Sequence, residues 1–256
     1  NLALLARPAV AIVGARNASA AACRFARGLA HDLADAGIIV VSGLARGIDT
    51  AAHQGALAQA TAGVIASGID IAFPAENAGL QEAVAQQGVL IAEQPPGREP
   101  LARHFPFRNR IIAGMSLGTV VVEAAPRSGS LITARLALES GRDVYAVPGS
   151  IHAPQSRGCH SLIKQGAKLV ESAQDVLEEF DLPVMILRPT DSAGTASATA
   201  VNPTEAASNP QTKEVQRILD AMGYDPVGLD ALIDRTGCSA PELNVRLLDL
   251  ELNGQV

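Results

Sequence analysis

The chain has 256 residues, 48% of them hydrophobic and 18% charged, so it can bury a sizeable core and is not globally disordered. Aromatics make up 3% and Trp is absent, which leaves the core to Val, Ile, Leu and Ala. The net charge of −6 argues against a uniformly basic nucleic-acid binder but says little about a local patch, because the charges are segregated.

In chain order, apolar runs at Ala9–Val13, Ile38–Val41, Ala62–Ala66, Val89–Ala92, Thr119–Val122 and Val144–Val147 are short and rich in β-branched residues. They do not alternate with polar residues, so they read as strands buried on both faces. Ala18–Ala36 carries Phe25, Leu29 and Leu33 at four-residue intervals and predicts a helix, as do Asn77–Gln87 and Leu131–Ser140. Strands alternating with helices predict an α/β fold: a Rossmann-like parallel sheet with helices on both faces over residues 1–188. Ligands of such sheets bind at the carboxyl ends of the strands, so the turns there are the place to look.

Residues 189–210 contain six Ala, four Thr, three Ser and three Pro, which predicts a flexible linker. Residues 211–256 predict helices at Lys213–Met222, Val227–Thr236 and Ala240–Leu252. Gly237 separates the last two, and Ser239 is a good N-cap with Pro241 and Glu242 in the first turn. This pattern fits a small, truncated winged-helix-like α domain; any three-helix piece would read the same way.

The first strand-end turn is Gly14-Ala15-Arg16-Asn17. It lacks the full dinucleotide fingerprint, but Gly14 would let the backbone approach a phosphate and Arg16 adds charge. The second turn, Ser42-Gly43-Leu44-Ala45-Arg46-Gly47-Ile48-Asp49, is a plausible anion nest without a Walker A lysine. Asp49 there is expected to cap a helix or hold Arg46.

The third stretch runs from Arg103 through Phe105, Phe107, Arg108, Asn109 and Arg110 to Gly114. Arginines mixed with aromatics suit a single nucleic-acid strand, with Arg on phosphates and a ring stacked on a base. The other reading makes Phe105 and Phe107 core anchors and the arginines ion-paired. From Arg98 to Arg110 four Arg and His104 stand against Glu99 alone, whereas Glu171–Asp191 holds six acids and Arg188.

The fourth stretch offers Ser128, Gly129, Ser130 and Thr133 at a helix start, as a phosphate cup, a Ser N-cap or both. In the fifth, Lys164 could reach the same crevice, while the adjacent Cys159-His160 is a poor metal or thiol site because no other His/Cys pair is spaced to help. Glu93 and Glu123 lie at strand ends with nothing in the sequence to pair them. No Ser-His-Asp order, carboxylate pair or metal-binding helix motif is recognisable, so we expect neither enzymatic turnover nor a cofactor or metal.

Cys23, Cys159 and Cys238 are an odd, scattered set that predicts no disulfide framework and fits a reducing cytoplasm. No signal peptide or membrane span is visible. The chain begins at Asn1 without Met and reads as a piece of a longer protein.

Five stretches in this order, IVGAR, SGLARGIDTAAHQGAL, FPFRNRIIAG, VVVEAAPRSGSLITARLALESGRDVYAVPG and LIKQGA, resemble the DNA-processing protein A (DprA, also called Smf) family from about Ala9 to Phe180. The resemblance implies a Rossmann-like core that binds single-stranded DNA without sequence preference, forms homodimers and hands the strand to RecA recombinase during natural transformation. It also implies a winged helix at the C-terminus. Carried over by motif, it assigns Arg16, Ser42, Gly43, Arg46, Phe105, Arg108, Arg110, Ser128, Ser130 and Lys164 to the DNA crevice. His160 departs from the family, which usually has Asn there. The competing reading is a Rossmann-like nucleotide-processing enzyme of the phosphoribohydrolase type, disfavoured because Glu123 to Thr133 lacks that group's glycine-rich loop.

Overall fold

The computed structural model of the protein describes residues 1–59, 61–180 and 228–252. It divides into two compact units, Asn1–Asp191 and Ser192–Val256.

The first unit alternates strand and helix. β1 (Ala9–Gly14), β2 (Ile39–Ser42), β3 (Thr61–Gly68), β4 (Val89–Gln94), β5 (Gly118–Val122), β6 (Asp143–Ala146) and β7 (Lys168–Leu169) form one sheet in the order β4-β3-β2-β1-β5-β6-β7. Every pairing in it is parallel. The helices are α1 (Ala20–Asp35), α2 (Ile48–Ala56), α3 (Ala78–Gln87), α4 (His104–Met115), α5 (Ser130–Glu139), α6 (Arg157–Lys164) and α7 (Ala173–Leu177).

The apolar runs are strands because both of their faces are covered. Along β1, Val10 and Ile12 pack with α1 and α2 residues such as Leu29, Leu33, Ile48 and Ala52. The alternate residues Ala9, Ala11 and Val13 pack with Ile112 of α4, Ala134 of α5 and Leu162 of α6. α3 covers the far edge through Val84, against Leu44 and Ile65. No apolar run marks β7, which is only two residues long, and no helical period marks α4, where the buried His104 and Arg108 break the apolar pattern.

β1 is the switch point of the sheet. Consecutive connections run from β1 outward through β2, β3 and β4; the chain then crosses back to place β5 on the other side of β1, in register Ile12↔Val120 and Gly14↔Val122. The carboxyl ends of β1 and β5 diverge into loops of opposite direction, which leaves a crevice between them.

In the second unit, α8 (Leu229–Thr236) and α9 (Ala240–Leu252) are joined at Gly237, whose φ of 68° is the left-handed value glycine adopts at a helix end. The Glu242 carboxylate accepts from the Ser239 backbone N–H (3.1 Å) and hydroxyl (2.7 Å), closing the start of α9. Leu232 and Leu243 are buried. The expected linker 189–210 and helix Lys213–Met222 lie outside the described residues. Among the described residues, no helix is long and apolar enough to cross a membrane.

Candidate nucleic-acid interface

A cleft of about 720 Å³ opens at the carboxyl ends of β1 and β5. Gly14, Arg16 and Asn17 form one wall, and Phe105, Arg108, Asn109 and Ile112 of α4 another. Arg127, Ser128, Gly129, Ser130 and Thr133 line it where α5 begins, and Asp49, Phe73, Pro106 and Gln155 are also in the lining. Nine of the fifteen residues expected at the site thus meet in one place. Ser42, Gly43, Arg46, Arg110, His160 and Lys164 are not among its lining residues.

Two glycines shape this edge by packing. A Cβ on Gly14 would overlap the Val122 carbonyl and the Ile48 side chain, so Gly14 lets β1, β5 and α2 approach one another. The close packing is a second demand on the same bare Cα, which also lines the cleft. Gly43 leaves room for the Arg108 guanidinium, which donates to the carbonyls of Gly43 (2.6 Å) and Val64. Ser42 is fully buried and donates to the Ile12 carbonyl at 2.6 Å, tying β2 to β1.

Asp49 neither caps α2, whose N-cap is Gly47, nor holds Arg46. Its buried carboxylate accepts from the backbone N–H groups of Gly43 (3.1 Å) and Ala45 (3.4 Å) and so fixes the β2–α2 loop. Burial pushes its carboxyl up, opposed by the charge of Arg108 and by those N–H groups. Burial likewise pulls the Arg108 guanidinium down to about 10, with Asp49 opposing.

Arg46 and Arg110 depart from the expected convergence, because carboxylates distant in sequence claim them. Arg46 pairs with Glu76 (2.7 Å) and Arg110 with Glu93 at the end of β4; both pairs are exposed. Glu93 is therefore partnered, and so is Glu123. The Glu123 carboxylate accepts from the backbone N–H (2.9 Å) and the hydroxyl (2.7 Å) of Ser19, the N-cap of α1.

At the start of α5 the N-cap is Gly129, with no side-chain cap, so the Ser N-cap reading does not hold. The Ser128 and Ser130 hydroxyls bond each other at 2.7 Å, and Asn109 donates weakly to the Gly129 carbonyl at 3.5 Å. His160 shares a 2.9 Å hydrogen bond with the Gly149 carbonyl, holding the loop after β6. Lys164 ends α6, whose beginning is tied to the β5 end by the bond from Gly158 N–H to the Ala124 carbonyl. The helix runs back toward the amino edge, which carries Lys164 away from the cleft.

The open side of the cleft is cationic and aromatic. The guanidinium carbon of Arg16 lies 5.6 Å from the centroid of the Phe105 ring, and Phe105 in turn meets Phe73 at 5.5 Å with rings tilted by 55°. Arg16 and Arg127 are exposed and make no ion pair among the described residues. Arg127 was not among the residues expected at the site, although it follows a strand end as Arg16 and Arg46 do. Phe73 carried no signal, since no periodicity marks its loop.

A parallel sheet with a cationic, aromatic-edged cleft at its switch point defines a Rossmann-like fold with its candidate site at the carboxyl ends of the central strands. Residues 1–181 match the family described as DNA recombination-mediator protein A, and residues 202–256 match the DprA winged helix domain. The chain belongs to the DNA recombination-mediator protein A family, with a winged-helix domain at its C-terminus.

Its relatives include DNA processing protein DprA of Streptococcus pneumoniae, 49% identical over 71% of this chain and 64% of the relative. A solved structure of DprA from that organism has a TM-score of 0.67, is 48% identical, and covers 72% of this chain and 65% of its own. Protein Smf of Escherichia coli K12 is 39% identical over 96% of this chain and 65% of the relative. DNA processing protein A from Helicobacter pylori, whose structure was described for its single-stranded DNA binding mode, has a TM-score of 0.65. It is 29% identical and covers 70% of this chain and 83% of its own. The chain thus spans 64% of the length of the Streptococcus pneumoniae relative and 65% of that of Escherichia coli Smf, just under two thirds of each.

Proposed function

We propose that the switch-point cleft binds single-stranded DNA without sequence preference. The observation that carries this reading is the convergence of Arg16, Arg127 and the Phe105–Phe73 ring pair at one open edge. Guanidinium forks suit phosphate oxygens, and an aromatic ring can stack on any base, whereas groups able to read base edges are few. The likeness to the Helicobacter pylori protein, named for its single-stranded DNA binding mode, supports it.

Within this reading the role is binding rather than turnover: among the described residues the carboxylate lining the cleft is Asp49, and it accepts from loop N–H groups. By family resemblance we extend the proposal to delivery of the bound strand to RecA recombinase during natural transformation, by a homodimer in the cytoplasm.

The test is a titration of the full chain against single- and double-stranded oligonucleotides of one length over a range of salt. We expect tighter binding to the single strand and an affinity that falls as salt rises, because phosphate neutralisation releases counterions. Equal or tighter binding to duplex, or no salt dependence, would sink the proposal.

A further inference from the structure

The face of α4 turned away from the cleft carries a second set of the same residue types. Arg103, Phe107, Arg110 and Gly114 follow at spacings of four, three and four, which puts them in one stripe on the helix. All four are exposed. Phe107 is 62% exposed, a large apolar ring left in water between two arginines. The opposite side of α4 is spent: Ile112 and Ala113 are in the core, while Phe105 and Asn109 line the cleft. Phe107 is therefore not a core anchor, and packing gives no reason for a phenyl ring there.

We infer that single-stranded DNA leaving the cleft runs over this outer stripe of α4, with a base stacked on Phe107 and phosphates on Arg103 and Arg110. The inference rests on the proposed function of the cleft and extends its footprint. Continuity is one support: Pro106 lines the cleft and lies on the helix between Phe105 and the stripe. Charge is the other: Arg103 and Arg110 are both exposed on the stripe, where the charge opposing them is Glu93, the partner of Arg110. The Arg110–Glu93 pair is exposed on both sides, so exchanging the carboxylate for a phosphate costs little. An alternating row of cations and one ring is what a sequence-tolerant single-strand track requires.

The experiment compares oligothymidylates of about six and about twenty nucleotides on the full chain, the first to fill the cleft alone and the second to run on over the stripe. Phe107→Ala and Arg103→Ala should leave the short oligonucleotide's affinity unchanged. Each should lower affinity for the long one, Phe107→Ala by about tenfold. Phe107→Trp should restore the long-strand affinity. If both variants bind the long strand like the wild type, the inference is overturned. The same follows if Phe107→Ala changes the oligomeric state by light scattering and leaves DNA affinity alone, since the stripe would then be a self-contact. If the wild type binds neither length, the reading of the cleft itself fails.

Discussion

Arg108 is 5% exposed and donates to the carbonyls of Gly43 and Val64, while its Nε finds no partner among the described residues. Arg16 stands exposed over the Phe105 ring in the same cleft. Substitution should separate their roles. Arg108→Ala leaves the buried Asp49 without its nearby cation and takes the guanidinium donor from the carbonyls of Gly43 and Val64, which should cost about 3–5 kcal/mol. A urea unfolding curve checks this, with the midpoint falling and the slope holding. Arg108→Lys should rescue only part, because one ammonium on a flexible stem does not reproduce the planar fork. Arg16→Ala should change stability by no more than about 0.5 kcal/mol. It should instead weaken single-strand binding and lower the slope of log affinity against log salt by about one. A large stability loss in Arg16→Ala, or an unchanged salt slope, would contradict that division.

The elements themselves are set by burial on both faces of the sheet, which is why six of the seven strands are legible as uninterrupted apolar runs. β7 is too short to leave a pattern, and α4 hides because its buried side chains include a histidine and an arginine. The strand-end turns could be located in sequence because their glycines and arginines follow apolar runs. Their partners could not: Ser19 meets Glu123 across 104 residues, and Glu76 meets Arg46 across 30. That clamp on α1 is testable. Ser19 accepts from the Ala22 N–H at 3.1 Å and donates to Glu123, whose φ of 49° is unusual for a residue with a side chain. Ser19→Ala removes the cap and one of the two donors to Glu123. It should cost about 1–2 kcal/mol, or a fall in Tm of roughly 2–8 °C. Ser19→Asp keeps a cap but sets a second carboxylate against Glu123, so it should fare no better than Ala. A thermal melt in which Ser19→Asp matches the wild type would show that the cap, and not the clamp, matters.

At the scale of the molecule, a net charge of −6 coexists with a cationic cleft because Asp49 is the one carboxylate among the described residues that line it, while stretches such as Glu171–Asp181 concentrate acids elsewhere. The buried ionisable groups make stability depend on pH. His53 of α2 is fully buried, with Nδ1 2.7 Å from the Thr61 hydroxyl, and Thr61 itself donates to the Val40 carbonyl at 3.0 Å. The hydroxyl's proton is thus committed, so Nδ1 of His53 carries the proton of this hydrogen bond. Its Nε2 has no partner among the described residues. Burial, with a smaller effect of the Arg108 charge, lowers its pKa to about 3 against the nearby Ser42 backbone. The unfolded chain takes up a proton at this residue below about 6.5, whereas the folded one does not until about 3. The stability it confers is therefore complete above the unfolded pKa. It is lost as pH falls through the window between the two values, at up to about 1.4 kcal/mol per pH unit. Asp49 acts in the opposite sense, since a raised carboxyl pKa favours the fold at low pH, so the slope of the wild type alone mixes the two. His53→Asn retains a donor for Thr61 and removes the titration. Urea midpoints measured from about pH 7 down to about pH 4 should fall less steeply for His53→Asn than for the wild type, by up to one proton's worth of slope. Parallel slopes would mean that His53 is charged, or reached by water, in the folded protein.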